Sequence, residues 1–289
     1  GKITTKKKGS IEKTIKILDN AQYLDRETIP GYVNRKDKKT GEELCMKQTY
    51  RHRSVKATKT KPDNLGSVPC EIFTLDKLLS NNVSVNQNYN YALSFWTFFH
   101  SQSSGFRESY NKYTNILNFG SYPIIDYNMS TDTLRVRIGV RLPEKCLTGN
   151  RDTCCDKTKA KTSVNGKELK GNELKMIELW CRENMTIGNP VPDEHLITVF
   201  EKEGLLKTQK WNNICINYDL GVLDIFVNSE LVGSWKHIVS YQTSKKIKIG
   251  EFDGIAGGIC NVMYYPSAIN LFQIKKHYHL LKNKNPPII

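Results

Sequence analysis

The chain is poor in the features that would announce a membrane-spanning, metal-centred or nucleotide-binding protein. It contains no run of 18 apolar residues, so no segment reads as a bilayer-crossing helix. Histidine is scarce: the six are His52, His100, His195, His237, His277 and His279. Only the last two are neighbours, and a two-residue spacing on a helix turns their side chains about 200° apart, so they cannot share a metal. No G-x-S-x-G, phosphate-loop or dinucleotide fingerprint occurs. Eight cysteines in 289 residues are too few for a scaffold held mainly by disulfides, and their spacing matches no zinc pattern. Cys215 and Cys260 sit in apolar strand-like runs and read as buried thiols. Cys146, Cys154, Cys155 and Cys181 read as loop cysteines and are the disulfide candidates.

Acidic residues are under-represented toward the N-terminus. Residues 1–62 hold 17 Lys plus Arg against 7 Asp plus Glu, so most of the net charge of +14 lies there. Lys6, Lys7, Lys8, Arg35, Lys36, Lys38 and Lys39 form an array able to attract anionic lipid or nucleic-acid phosphates. The competing reading is a solvated arm. Gly1, followed by Thr4-Thr5 and three lysines, fits the loose form of an acylation signal with a polybasic second signal. Residues 1–87 are thus expected to form a basic, partly irregular arm. Ile11, Ile15 and Leu18 have helical spacing, and turn signals lie at Pro30-Gly31 and Lys39-Thr40-Gly41. A short helix or strand is expected around residues 70–79.

What is abundant is aromatic and β-branched texture. From Tyr89 onward short apolar runs recur every 8 to 15 residues: Tyr91–Phe99, Asn115–Phe119, Pro123–Tyr127 and Thr133–Val140. The last alternates apolar and basic residues, as one wet and one buried face require. This spacing predicts an all-β sandwich over residues 88–289 rather than βαβ units. A polar, lysine-rich insertion loop interrupts it at about residues 146–175, with Val164-Asn165-Gly166 as a turn signal. Strand texture resumes at Met176–Trp180. Trp211–Asp219, Val222–Asn228 and Leu231–Trp235 form a meander, with Gly221 and Asn228 available for positive φ in its turns. Three glycosylation sequons, at Asn82, Asn128 and Asn184, permit a secretory location.

The meander's pattern, W-x-x-I-C-I-x-Y-D followed by L-D-x-x-V-N-x-x-L-V, resembles the laminin-G-like and pentraxin-like branch of the concanavalin-A-like superfamily. The closing segment is similar too. Gly257–Tyr265 reads as G-x-I-x-x-V-x-x-Y, and Gln273-Ile274 with Tyr278 fit that family's short terminal helix. The resemblance covers about 200 residues and implies an antiparallel jelly-roll sandwich. The Lys/Asn/Ile bias, the ending Lys282–Ile289 and the basic arm also resemble laminin-G-like proteins of large nucleocytoplasmic DNA viruses. That implies a virion structural or capsid-associated protein assembled in the host cytoplasm beside other coat subunits. Secretion or cell-surface display of a lectin-like domain is the alternative.

Glucanases of this sandwich type resemble one another in an E-x-D-x-x-E strand motif supplying nucleophile, orienting acid and proton donor. Here Glu251 and Asp253 are present but Ala256 replaces the third acid, and Gly254, Gly257 and Gly258 imply a turn. A non-enzymatic binding or assembly module is therefore expected, with a glycoside hydrolase the weaker alternative and no cofactor required. Calcium candidates in such domains are loop carboxylates, here Asp126, Asp219 and Asp253, each more often simply a turn residue. Phe106, Tyr110 and Tyr113 follow a Ser/Gly loop and are the candidates for stacking on sugar rings.

Overall fold

The computed structural model describes residues 14–18, 21–25, 27, 32–36, 43–47, 90–101, 108–142, 155, 163–164, 167–168, 171–184, 195–241 and 247–288. In chain order the strands are β1 (Ile15–Leu18), β2 (Gln22–Tyr23), β3 (Tyr32–Lys36), β4 (Glu43–Lys47), β5 (Asn90–Phe99), β6 (Tyr113–Phe119), β7 (Ile124–Asn128) and β8 (Thr133–Gly139). They continue with β9 (Ser163–Val164), β10 (Lys167–Glu168), β11 (Leu196–Glu203), β12 (Trp211–Asp219), β13 (Val222–Val227), β14 (Glu230–Trp235), β15 (Ile247–Ile249) and β16 (Gly257–Tyr265). Helices α1 (Asn172–Asn184) and α2 (Leu271–Leu281) complete the set, with a 3₁₀ turn at Glu108–Asn111.

Two antiparallel sheets form the expected all-β sandwich. The seven-stranded sheet runs β1-β16-β5-β12-β13-β14, with β2 also on β16; the five-stranded sheet runs β11-β8-β7-β6-β15. Between them lies one core, to which Leu93, Ile216 and Ile259 contribute from the first sheet and Leu117, Ile125 and Val136 from the second. Tyrosines are packed in it with their hydroxyls satisfied. Tyr91 donates to the Tyr122 carbonyl at 2.8 Å and Tyr218 to the Ile238 carbonyl at 2.7 Å, which removes the cost of burying a phenol. The β12–β13 turn places Gly221 at φ 89°, and the two-residue β13–β14 turn places Asn228 and Ser229 at 51° and 69°. These are the left-handed conformations that a twisted hairpin demands.

Strand β5 is apolar at seven of its ten positions because both of its faces are buried. Leu93, Phe95 and Phe99 face the sandwich core. Ala92 and Trp96 face the other way, onto α2 and the segment after it. Ile274 and Leu281 of α2 are buried there, and Tyr278 stacks on Trp96 with 5.5 Å between ring centroids. An Asn270/Gln273 capping box starts the helix, each side chain bonding the other's backbone N–H at 2.9 Å. Beyond it, Trp211 Nε1 donates to Asn285 Oδ1 at 2.9 Å, and Ile288 packs against the Trp96 cluster. Gly257 passes so close to the Phe98 carbonyl oxygen that any Cβ would collide with it.

Three expectations are corrected. Met176–Trp180 is not a strand but lies inside α1, because the inward residues Met176, Ile177, Trp180 and Cys181 recur at helical spacing. Second, α1 begins at Asn172, so the insertion ends earlier than residue 175. Third, Ile15–Leu18 is a strand despite the helical spacing around it, since pairing with β16 (Ile15 opposite Tyr264) satisfies its backbone. Residues within 15–24, which the sequence assigns to the arm, thereby complete an edge of the sandwich, with Leu18 and Leu24 in its core. Elsewhere in the arm, β3 and β4 pair as a hairpin around the Lys39-Thr40-Gly41 turn signal. Residues 70–79 lie outside the described residues.

Within the insertion, β9 and β10 pair across the Val164-Asn165-Gly166 turn signal, and a disulfide joins Cys155 to Cys181 of α1. Cys146 and Cys154 lie outside the described residues. Cys215 and Cys260 are buried free thiols, and burial pushes both up to about 12. Among the described residues no helix is long and apolar enough to cross a membrane.

Candidate functional site

Alternation along the five-stranded sheet sends Leu134, Val136 and Ile138 of β8 into the core and Thr133, Arg135 and Arg137 outward. Cross-strand register then sets them in rows. Tyr113, Asn128, Thr133 and Glu203 lie side by side across β6, β7, β8 and β11, and next to them run Asn115, Asp126, Arg135 and Glu201. The second row alternates acid, base and acid across its last three strands, an arrangement that favours each cross-strand pair.

Asp126 is almost fully enclosed. Arg137 Nε approaches its Oδ2 at 2.6 Å and Arg135 Nη2 at 3.0 Å, so one carboxylate holds two guanidinium groups on adjacent outward positions of β8. Arg135 is thereby fixed beneath the Tyr113 ring, its Cζ 3.6 Å from the centroid. The Tyr113 hydroxyl in turn donates to Glu201 Oε1 at 2.5 Å. Its phenol is pushed up to about 12, first by burial and then by this carboxylate neighbour, and so stays a donor at physiological pH. The ring, with Asn128, Thr131, Thr133, Glu201, Lys202 and Glu203, lines an open groove of about 590 Å³.

Of the stacking candidates, Tyr113 is therefore in this groove, whereas Tyr110 packs half-buried against the hydrophobic core and Phe106 lies outside the described residues. Tyr110 and Tyr113 do not make one platform. Arg35 and Lys36 fall on β3, and Gly1, Lys6, Lys7, Lys8, Lys38 and Lys39 lie outside the described residues. Arg135, Arg137 and Glu201 were not among the sequence candidates. The Leu134-Arg135-Val136-Arg137 alternation marks two of them as outward, but their partners arrive from other strands.

Of the other candidate carboxylates, Glu251 is engaged in structure. Glu251 Oε2 accepts the Asn115 backbone N–H at 3.0 Å, and its own N–H donates to the Leu24 carbonyl. Asp253, at φ 54°, sits in a turn closed by the Gly254 N–H and the Glu251 carbonyl. The Glu251–Ala256 segment is thus a brace between strands rather than a catalytic strand. Asp126 is corrected as a calcium candidate, because its charge is already met by two arginines. Among the described residues no group of three or more His, Cys, Asp or Glu side chains is placed to hold a metal. Asn128 of the second sequon is buried, its Oδ1 accepting from the Ser130 N–H at 3.0 Å and from the Ser130 hydroxyl at 2.8 Å.

No family model matches this chain. No curated protein matches it either. Solved structures similar to it include the botulinum neurotoxin type G receptor binding domain, with 15% identity and a TM-score of 0.38 over 66% of this chain. The binding domain of botulinum neurotoxin serotype D gives 15% and 0.40 over 68%, and that of botulinum neurotoxin DC in complex with rat synaptotagmin II gives 15% and 0.38 over 69%. In each case the chain spans 38% of the toxin domain's length. Similarity at this identity concerns the β-rich fold alone.

Proposed function

We propose that this sandwich is a non-enzymatic binding module whose contact surface is the outer face of the five-stranded sheet. The observation that carries the reading is the groove at Tyr113, open to solvent yet lined by polar groups already fixed by one another. Arg135 is held by Asp126 under the ring, and Glu201 is held by the ring's hydroxyl. Such a surface loses little side-chain freedom when a ligand arrives. Hydroxyl, amide and carboxylate groups at Thr131, Thr133, Asn128 and Glu203 around one aromatic ring suit a polyhydroxylated ligand, so a glycan is the ligand class that fits the lining. A role in assembling a virus coat is the wider setting we propose, supported by the lysine and asparagine bias and the basic N-terminal segment.

Screening the full chain on a glycan array tests the reading. Binding that Tyr113→Ala lowers at least tenfold, with folding intact, supports it. Binding indifferent to Tyr113→Ala, or no glycan bound at all, overturns the groove as the site. Hydrolysis of a β-glucan that is lost in Glu251→Gln would overturn the non-enzymatic reading itself.

A further inference from the structure

On the opposite side of the sandwich, α2 covers the outer face of the seven-stranded sheet. Its own outer surface is of one charge sign. With Ile274, Tyr278 and Leu281 turned to the sheet, the 3.6-residue period brings Phe272, Lys276 and His279 to the far side, with Lys275 and the C-cap Lys282 on one flank. Phe272, in the first turn, is 76% exposed, and Leu280 is exposed about two turns further along. No Asp or Glu follows Asp253 in the sequence, so no acid on the helix or after it offsets the lysines.

The sheet adds apolar groups at the rim. Leu231 is opposite Phe226, a residue of the cluster beneath α2, so pleating puts Leu231 on the same face, where it is exposed. Tyr23 is opposite Gly258, whose Cβ direction meets the Trp211 ring at 3.6 Å, and is exposed on that face too. Alternation also places Asp219 and Asp224 on this face. They lie at the helix N-terminal end, where Asn217 Oδ1 accepts the Ile269 N–H and which Phe272 shares, whereas the lysines run from mid-helix to the other end.

We infer that the outer surface of α2 docks on an anionic phospholipid bilayer, with the lysines at the headgroup phosphates and Phe272 inserted at the acyl boundary. Charge complementarity gives the lipid its sign. The exposed phenylalanine and its apolar rim distinguish a bilayer from nucleic acid, because a duplex offers phosphates but no apolar layer for Phe272 and Leu280 to enter. Docked in this way, the sandwich presents the Tyr113 groove away from the membrane. The inference stands independently of what that groove binds.

Co-sedimentation of the full chain with vesicles tests it, using phosphatidylcholine alone and phosphatidylcholine with about 30% phosphatidylserine. Binding is expected only to the anionic vesicles. Replacing Lys275 and Lys276 by Ala weakens it by about 25-fold, fivefold per lysine, and Phe272→Ser weakens it by about tenfold. Both variants change solvent-facing residues and keep the wild-type melting temperature. Phe272→Trp gives a blue-shifted emission on anionic vesicles alone. Tyr113→Ala leaves vesicle binding unchanged, which separates this inference from the groove. Helix variants that bind as wild type place any affinity in the basic N-terminal segment and overturn it. So does a result in which the lysine changes matter, Phe272→Ser does not, and duplex DNA competes, since the surface would then be a polyanion site.

Discussion

The Cys155–Cys181 disulfide makes the insertion's contribution measurable. It joins residues 26 apart in sequence, tying Cys155 to the buried side of α1. Closing a loop of that length removes about 12 cal/mol/K from the unfolded chain, or about 3.5 kcal/mol at 25 °C in the chain-entropy treatment. For a domain of this size the loss corresponds to roughly 7–14 °C in melting temperature. Cys155→Ser combined with Cys181→Ala removes the bond with little change in packing, because Cys181 is smaller than the neighbouring Met176 and Trp180 that dominate this side of the helix. The assay is denaturant unfolding of the variant and the oxidised wild type, with disulfide peptide mapping of the latter. Loosening should be concentrated at α1 and at Thr198, whose backbone N–H is held by Glu183 Oε2 at 2.9 Å. A variant melting within about 1 °C of wild type would refute the loop-closure reasoning. Mapping that joins Cys155 to a cysteine other than Cys181 would refute the pairing.

Two further outcomes follow from groups whose surroundings are well defined. Asp126→Asn leaves Arg135 and Arg137 facing each other without their shared counter-charge; it should cost about 2–4 kcal/mol by chemical denaturation, and the loss should shrink when Arg137 is also replaced by Met. His277 stacks on Tyr265, with Nδ1 3.0 Å from its hydroxyl, and burial together with nearby Lys276 holds its imidazole below the usual range. The unfolded chain therefore takes up the proton first. Stability conferred by neutral His277 is present above about pH 6.5 and lost as pH falls through the window below it, so α2 amides should show lower protection, relative to their intrinsic exchange rates, at pH 5 than at pH 7.5. His277→Gln should flatten that difference, and an unchanged pH profile would assign it to other groups, His195 first.

The meander from Trp211 to Trp235 was legible because each of its signals is local: alternation within a strand, and Gly221 or Asn228 where positive φ is needed. The terminal helix was legible through Gln273-Ile274 and Tyr278. Helix α1 was not, since Met176-Ile177-Glu178-Leu179-Trp180 is apolar enough in a five-residue window to pass for a strand. Within it only Met176 and Trp180 stand four apart, and the second such pair, Ile177 and Cys181, needs one residue more. Strand β1 failed for a different reason. Four residues carry too little pattern to outweigh the accidental spacing of Ile11, Ile15 and Leu18, and what decides their conformation is the free edge of β16, far away in sequence. The site was half legible. Tyr113 and Asp126 were singled out, the second for calcium rather than for arginine. Their grouping with Arg135 and Glu201 depends on the order β6-β7-β8-β11, and the sequence separates the last two of those strands by the whole insertion and α1.

The pairing of β5 has a bearing on how the chain reaches this state. Both of its hydrogen-bonded neighbours, β12 and β16, are made long after it, and β1 has no partner until Tyr264 has been synthesised. An emerging chain therefore carries the aromatic-rich strand Tyr91–Phe99 with neither edge covered until β12 is made. It cannot fold segment by segment from the N-terminus, and such non-local closure is slow. The seven-stranded sheet can close fully only when β16 and α2 arrive. Until then the β16-side edge of β5 stays uncovered and open to aggregation.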